Sequence, residues 1–278
     1  MEMKTHLSTD FIRYRTMTSR QLRESFLFDS LYASGEIRLA YLETERAVIG
    51  MASPLDMPLA LPAPPPLRAK TFLDRRELGA LNIGGTGSIR VDGSTFHVGY
   101  LDCLYLGRGG QNVEFASSDP SQPAIFYLLS YPAHAVHLTT LVRKDDAAPM
   151  DLGSQNNANR RVVTKYIHQG GAQSCQLVMG VTHLQSGNVW NTMPPHTHLR
   201  RSEIYMYFNV GEKDRVVHLM GAPDETRHLM VANRGIVVSP VWSIHAGAGT
   251  HAYSFCWGMG GENLDYADMD VLEVGELL

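Results

Sequence analysis

Hydrophobic and polar positions along this chain change over at short intervals, with β-branched and aromatic residues bounded by turn formers, and the elements they predict are mostly strands. One helix-like segment comes first: Thr18 or Ser19 can cap a helix running from Arg20 to Phe26. Glu36 to Met51 reads as strand. Ser53 to Leu67, SPLDMPLALPAPPPL, holds too many prolines for a helix interior or a central strand and predicts an extended connection on a surface. From Phe72 to Phe115 the pattern is almost entirely β, with Asp92-Gly93 marking a tight hairpin turn. Pro123 to Val142 adds strand-like text, whereas Asp145 to Arg161 is polar, rich in Asn, and reads as a loop joining two halves. The second half returns to short strands at 163–168, 175–184, 204–210, 216–220, 228–232, 236–238 and 253–257. Such spacing predicts an antiparallel sandwich or barrel, so the fold class is all-β with few short helices.

Composition narrows this picture. With 278 residues, 44% of them hydrophobic and 19% charged, the chain is long enough for two domains and too apolar for disorder. A net charge of -4 and five scattered lysines, at 4, 70, 144, 165 and 213, give no basic patch for nucleic acid or an anionic membrane. Cys103, Cys175 and Cys256 are far apart and form no Cys-x-x-Cys pair, so free thiols are expected rather than disulfides or a thiolate zinc site. The N-terminal text carries charges without an apolar signal core, and a cytoplasmic protein is expected.

An internal echo divides the chain. Arg75-Arg76-Glu77 followed by LGALNIGG parallels Arg200-Arg201-Ser202-Glu203 followed by IYMYFNVG, at an offset of 126 residues. In each, a carboxylate leads into a strand that ends in Asn, an aliphatic residue and Gly. The expectation is a duplicated barrel: residues 1–150, with an N-terminal extension and no histidine in the stretch leading into Glu77, and residues 151–278, which carry any metal site.

The chemistry concentrates between Asn191 and Gly211. His196 and His198 stand two apart, the spacing that places two imidazoles on one strand face, and Glu203 follows after a short turn. His245, after Pro240, can add a third nitrogen from a distant strand. Three imidazoles and a carboxylate suit zinc, iron, manganese, nickel or copper. The competing reading leaves His196 and His198 as loop residues beside Pro194 and Pro195. His134 and His137, three apart, face opposite sides of a strand and are poor ligands; His228, with Arg227 and Glu225 beside it, could line a pocket for an acidic substrate but reads better as part of a surface turn.

The arrangement His-x-His-x4-Glu followed by a Pro-led segment with a lone His resembles the two motifs of the cupin superfamily, although cupins usually have glycine at the position of Trp242. The likeness is closer still to the 5-keto-4-deoxyuronate isomerases: WNTMPPHTHLRRSE (190–203), HLMGAPDETRH (218–228), SPVWSIHAGAGT (239–250), FCWGMGGENLDYADMD (255–270), RRELGALNIGGTGSIRVDG (75–93) and NRRVVTKYIH (159–168) resemble phrases of that family. The resemblance implies a bicupin of two cupin-like barrels, the first without metal ligands, assembled as a hexamer. It implies that His196, His198, Glu203 and His245 hold one zinc ion. It also implies an activity, conversion of 4-deoxy-L-threo-5-hexosulose uronate to 3-deoxy-D-glycero-2,5-hexodiulosonate in the breakdown of pectin-type polyuronides.

An aldose–ketose isomerisation moves a proton between adjacent carbons through an enediolate and needs no redox change, so a zinc ion that holds both oxygens suffices. The sequence singles out no base. If Glu203 points inward, alternation brings Tyr205 and Tyr207 inward as well, as substrate contacts or as core aromatics. Arg160, Arg161, Arg200, Arg201 and Arg227 are candidates for gripping a substrate carboxylate. Two rival functions share the motif: an oxygen-using cupin with iron, and a sugar-binding module without catalysis.

Overall fold

The computed structural model describes residues 3–147 and 149–278. It is built almost wholly of short strands, with a single α-helix, Ser19–Phe26, and a few turns of 3-10 helix among the described residues. Two compact units exchange segments across the middle of the chain. The first takes the described residues up to Leu7, those from Ser30 to Ala147, and Tyr166–Val178; the second takes Ser8–Asp29, Pro149–Lys165 and Met179–Leu278.

Each unit pairs a seven-stranded sheet with a four-stranded one. In the first unit the large sheet runs Lys4–His6, Ile37–Leu42, Val48–Ala52, Phe126–Pro132, Arg76–Asn82, Cys103–Leu106, Thr140–Val142. In the second it runs Pro149–Leu152, Arg161–Ile167, Val178–Leu184, Ser254–Gly261, Arg201–Phe208, Ile236–Ser239, Leu27–Phe28. The small sheets match too: Leu59–Ala60, Val113–Ser117, Gly87–Val91, Ser94–Val98 in one, and Trp190–Asn191, Ala246–Gly249, Val216–Ala222, Glu225–Val231 in the other. Strand for strand the order repeats, and the two strands of the sequence echo, Arg76–Asn82 and Arg201–Phe208, both lie fifth in their sheets. The structure is thus all-β with two cupin-like barrels.

Local sequence accounts for several of these elements. Thr18 caps the helix as a full capping box, its side chain accepting from the Gln21 N–H while the Gln21 side chain accepts from the Thr18 N–H. The Gly87–Val91 and Ser94–Val98 strands close through Asp92 and Gly93 at φ 48° and 87°, the left-handed pair that a two-residue hairpin requires. Inside the first unit, Phe72, Leu78, Ile89, Phe115, Phe126 and Leu128 belong to one apolar core. In the second unit the N-terminal segment packs on the turn before His245. The Trp242 ring stacks on Tyr14 at 4.5 Å and meets Phe11 and Phe26 edge-on, which explains an indole where cupins usually carry glycine.

Two expectations need correction. The polar stretch read as a loop from Asp145 to Arg161 contains a strand, Pro149–Leu152, paired with Arg161–Thr164. All four of its residues are exposed, so the alternation that marks a half-buried strand never developed. The proline-rich connection, for its part, is extended through the edge strand Leu59–Ala60 but turns as a 3-10 helix at Pro65–Leu67.

Candidate metal centre

Glu203 sits in the middle of the second unit's large sheet, opposite Met259 on one neighbouring strand and Ser239 on the other. Both flanks are therefore fixed by backbone hydrogen bonds, and its side chain can point only into the barrel or out of it. It points in. His196 opens a two-residue strand, His196–Thr197, held by Asp270–Val271, and His198 follows directly. The two imidazoles thus come from the end of a minor strand rather than from one face of a regular one. His245 immediately precedes the Ala246–Gly249 strand, after a turn closed by Ser243 N–H donating to the Pro240 carbonyl at 2.9 Å.

The four side chains converge. Their ligand atoms all lie within 4.8 Å of one another. Glu203 Oε2 is 3.0 Å from His198 Nε2 and 2.9 Å from His245 Nε2, and the Nε2 atoms of His196 and His245 are 2.9 Å apart. Glu203, His198 and His245 are buried. His198 Nδ1 is 2.8 Å from the Arg201 carbonyl, an acceptor only, so Nδ1 carries the hydrogen and the Nε2 lone pair faces the cluster. His245 Nδ1 likewise faces the Ser243 carbonyl and Ser239 Oγ. Nitrogen lone pairs crowded around a carboxylate are the donor set of a divalent cation, and the residues present fit one.

The local electrostatics agree. Burial works against ionisation of Glu203, but the imidazoles of His245 and His198 outweigh it and hold the carboxyl well below its ordinary range. Burial, followed by repulsion from His245, pushes His196 down to about 3, so the imidazole is neutral at pH 7. His198 is opposed by burial but raised by its contact with Glu203. Buried His218, beneath the cluster with Nδ1 2.7 Å from Tyr207 Oη, is pushed down to about 3.

A cavity of about 290 Å³ opens onto His196, His198 and Glu203. Its wall is mostly apolar, with Val163, Phe255, Trp257 and Met259 from the sheet and Met269 and Val271 from the C-terminal segment. Trp257 can lie against the neighbouring strand because position 180 is glycine; a Cβ there would come within 2.2 Å of the indole. Polar atoms come from Thr182, Thr192, Tyr205, Tyr266 and Arg161. Tyr205 faces the cavity, its hydroxyl 3.0 Å from Thr192 Oγ1, whereas Tyr207 turns to His218 and takes no place in the wall.

The arginine candidates separate cleanly. Arg161 lines the cavity. Arg160 is exposed, Arg200 pairs with Asp268, Arg201 is buried with Nη2 on the Asp268 carbonyl, and Arg227 donates to the carbonyls of Arg15 and Met17. His134, His137 and His228 lie outside the cluster. Thr182, Thr192, Trp257 and Tyr266 carried no individual signal in the sequence. Tyr266 reaches the wall through long-range packing, with its ring under Lys165 Nζ at 4.0 Å and 5.3 Å from the Trp257 ring.

A profile of the KduI/IolB family matches residues 65–273. The chain belongs to the KduI/IolB family. Among curated relatives, the 4-deoxy-L-threo-5-hexosulose-uronate ketol-isomerase of Lachnoclostridium phytofermentans is 47% identical over 277 residues, covering 100% of both chains. The enzyme of the same name from Kineococcus radiotolerans is 49% identical over 264 residues, 94% of this chain and 95% of its own. With relatives this similar over its whole length, the family member described here is an isomerase, an intramolecular oxidoreductase. Among solved structures, an IolB-like protein from Salmonella typhimurium LT2 superposes with a TM-score of 0.71 at 14% identity, covering 89% of this chain and 96% of that one. Oxalate decarboxylase from Lactobacillus farciminis gives 0.61 at 12% identity, with coverages of 89% and 88%. At such identities these two similarities concern the fold alone, which is that of the cupins.

Proposed function

We propose that the protein is a zinc-dependent ketol-isomerase that converts 4-deoxy-L-threo-5-hexosulose uronate to 3-deoxy-D-glycero-2,5-hexodiulosonate in polyuronide catabolism. The observation that carries this reading is the convergence of His196, His198, Glu203 and His245, three of which line a mostly apolar cavity, in a chain whose full-length relatives bear that enzyme's name. The ligands proposed for zinc are those four residues. A divalent cation held there supplies Lewis-acid charge beside the substrate's adjacent oxygens.

The reaction removes the hydrogen from C2 and delivers a proton to C1, while the C1 carbonyl becomes a hydroxyl and the C2 hydroxyl a carbonyl. No electrons leave the substrate. The chain's part is to bind, orient and exclude water. Trp257, Phe255 and Met259 shield the reacting carbons, and the Tyr205 hydroxyl, kept protonated by burial and then by the nearby Glu203, can donate a hydrogen bond to a substrate oxygen. The cytoplasm is the proposed location, in keeping with the free thiols Cys103, Cys175 and Cys256, and a hexamer is the proposed assembly.

The test is to incubate zinc-loaded protein with the ketouronate in deuterated water and follow the carbons by NMR. The ketose should form and no oxygen should be consumed. Substrate-dependent oxygen uptake with stoichiometric iron would point to the oxygenase reading instead, and tight binding without conversion to a sugar-binding module.

A further inference from the structure

Arg161 is the one arginine or lysine among the described residues that line this cavity. It is half-buried, Nη1 donates to the Asn159 carbonyl at 2.9 Å, and no carboxylate pairs with it among the described residues. The same wall includes Leu152, Val163 and Met259, and the ionisable groups that act on Arg161 are the phenols of Tyr205, Tyr266 and Tyr253. A guanidinium in the wall of a mostly apolar cavity offers an anion a bidentate partner, and its planar fork suits a carboxylate. The sheet order separates Arg161 from the His/Glu cluster. Arg161 lies on the second strand and Glu203 on the fifth, with Thr182 and Trp257 on the strands between, so the two strands run three spacings apart, about 14 Å across the sheet. An arginine side chain reaching inward leaves the length of a small extended acid between its guanidinium and the cluster.

We infer that Arg161 is the anchor for the terminal carboxylate of the substrate, and that it sets the direction in which the substrate lies: carboxylate at Arg161, the carbonyl and hydroxyl carbons that exchange hydrogen at His196, His198 and Glu203. The inference rests on the proposed function for the identity of the acid. It goes further in assigning the second pole of the site and in making a carboxylate at the far end of the sugar a condition for good binding. Arg161 acts here as a binding residue and takes no proton.

The experiment compares wild type, Arg161→Lys and Arg161→Gln on the ketouronate and on its primary carboxamide, with binding read by titration calorimetry, turnover by NMR, and metal content and melting temperature checked for each protein. On the acid, Arg161→Gln should bind about 100-fold more weakly, chiefly as a rise in KM, with Arg161→Lys in between. On the carboxamide, wild type should lose a similar factor and Arg161→Gln should lose little more, because the charge pair is already gone. Metal content should be unchanged. Equal binding of the acid by wild type and Arg161→Gln would overturn the inference, and so would an equal loss on acid and amide. If wild type binds the acid without converting it, the proposed function fails, while the calorimetric comparison still decides the role of Arg161.

Discussion

Glu77 and Glu203 occupy the same place in two copies of one fold, on the fifth strand of each large sheet, and they have opposite surroundings. Glu77 is ringed by donors. The backbone N–H groups of Cys175, Gln176 and Leu177 reach its two oxygens at 2.7, 2.9 and 2.9 Å, and the Tyr105 hydroxyl donates at 2.8 Å. Glu203 is ringed instead by imidazole nitrogens, with His198 Nε2 at 3.0 Å and His245 Nε2 at 2.9 Å. At the 126-residue offset of the echo, Lys70 and Phe72 stand where His196 and His198 are, and Phe72 is packed into the first unit's core. A buried carboxylate must be compensated, and donors do so as completely as a cation does. A carboxylate at this position is a feature of the duplicated barrel, and its neighbours decide whether it is placed to hold a cation or to clasp a loop.

The comparison breaks most visibly at His245. His245→Ala should reduce turnover by about 1,000-fold or more, by loss of a ligand, while the protein remains folded, because one ligand matters more to the metal than to the barrel. Turnover assays alongside circular dichroism check this, and near-normal activity would remove His245 from the site. Glu77→Gln should do the reverse. The amide presents an NH₂ to a ring of N–H donors, so stability should fall by about 2–4 kcal/mol in a denaturant titration, with metal content and activity per folded molecule unchanged. A loss of metal in that variant would merge the two sites that the structure separates.

Acid offers a milder way to sharpen the contrast. The unfolded chain binds protons at His196 and His218 below about pH 6.5, whereas the folded chain refuses them until about pH 3. The unfolded state therefore holds more protons across that window, and stability falls as pH is lowered through it. The apo second unit, which contains both residues, should lose hydrogen-exchange protection at pH 5 relative to pH 7. Substituting His218 with Phe should lessen the loss.

Much of this was legible from residue order because it is local. The Thr18 cap, the Asp92-Gly93 hairpin and the His196, His198, Glu203 spacing each express short-range geometry, and the Glu77 echo gave the duplication. What sequence could not show depends on partners far along the chain. The loop that satisfies Glu77 lies about a hundred residues away and contributes backbone N–H groups, which no side chain announces. The Asp270–Val271 strand that holds His196 is two residues long, too short to show any period. Arg161 could be named only as one of five, since choosing among them required knowing which strand stands two places from the Ser254–Gly261 strand.

The proposed dependence of turnover is on a single ion, held in one barrel of the pair. It is tested most directly by counting metal in the purified protein by mass spectrometry, before and after dialysis against a chelator, and following conversion of the ketouronate in the same samples. One zinc per chain, lost together with turnover and regained together on adding zinc, is the predicted result. Two ions per chain, or full turnover in the metal-free protein, would contradict it.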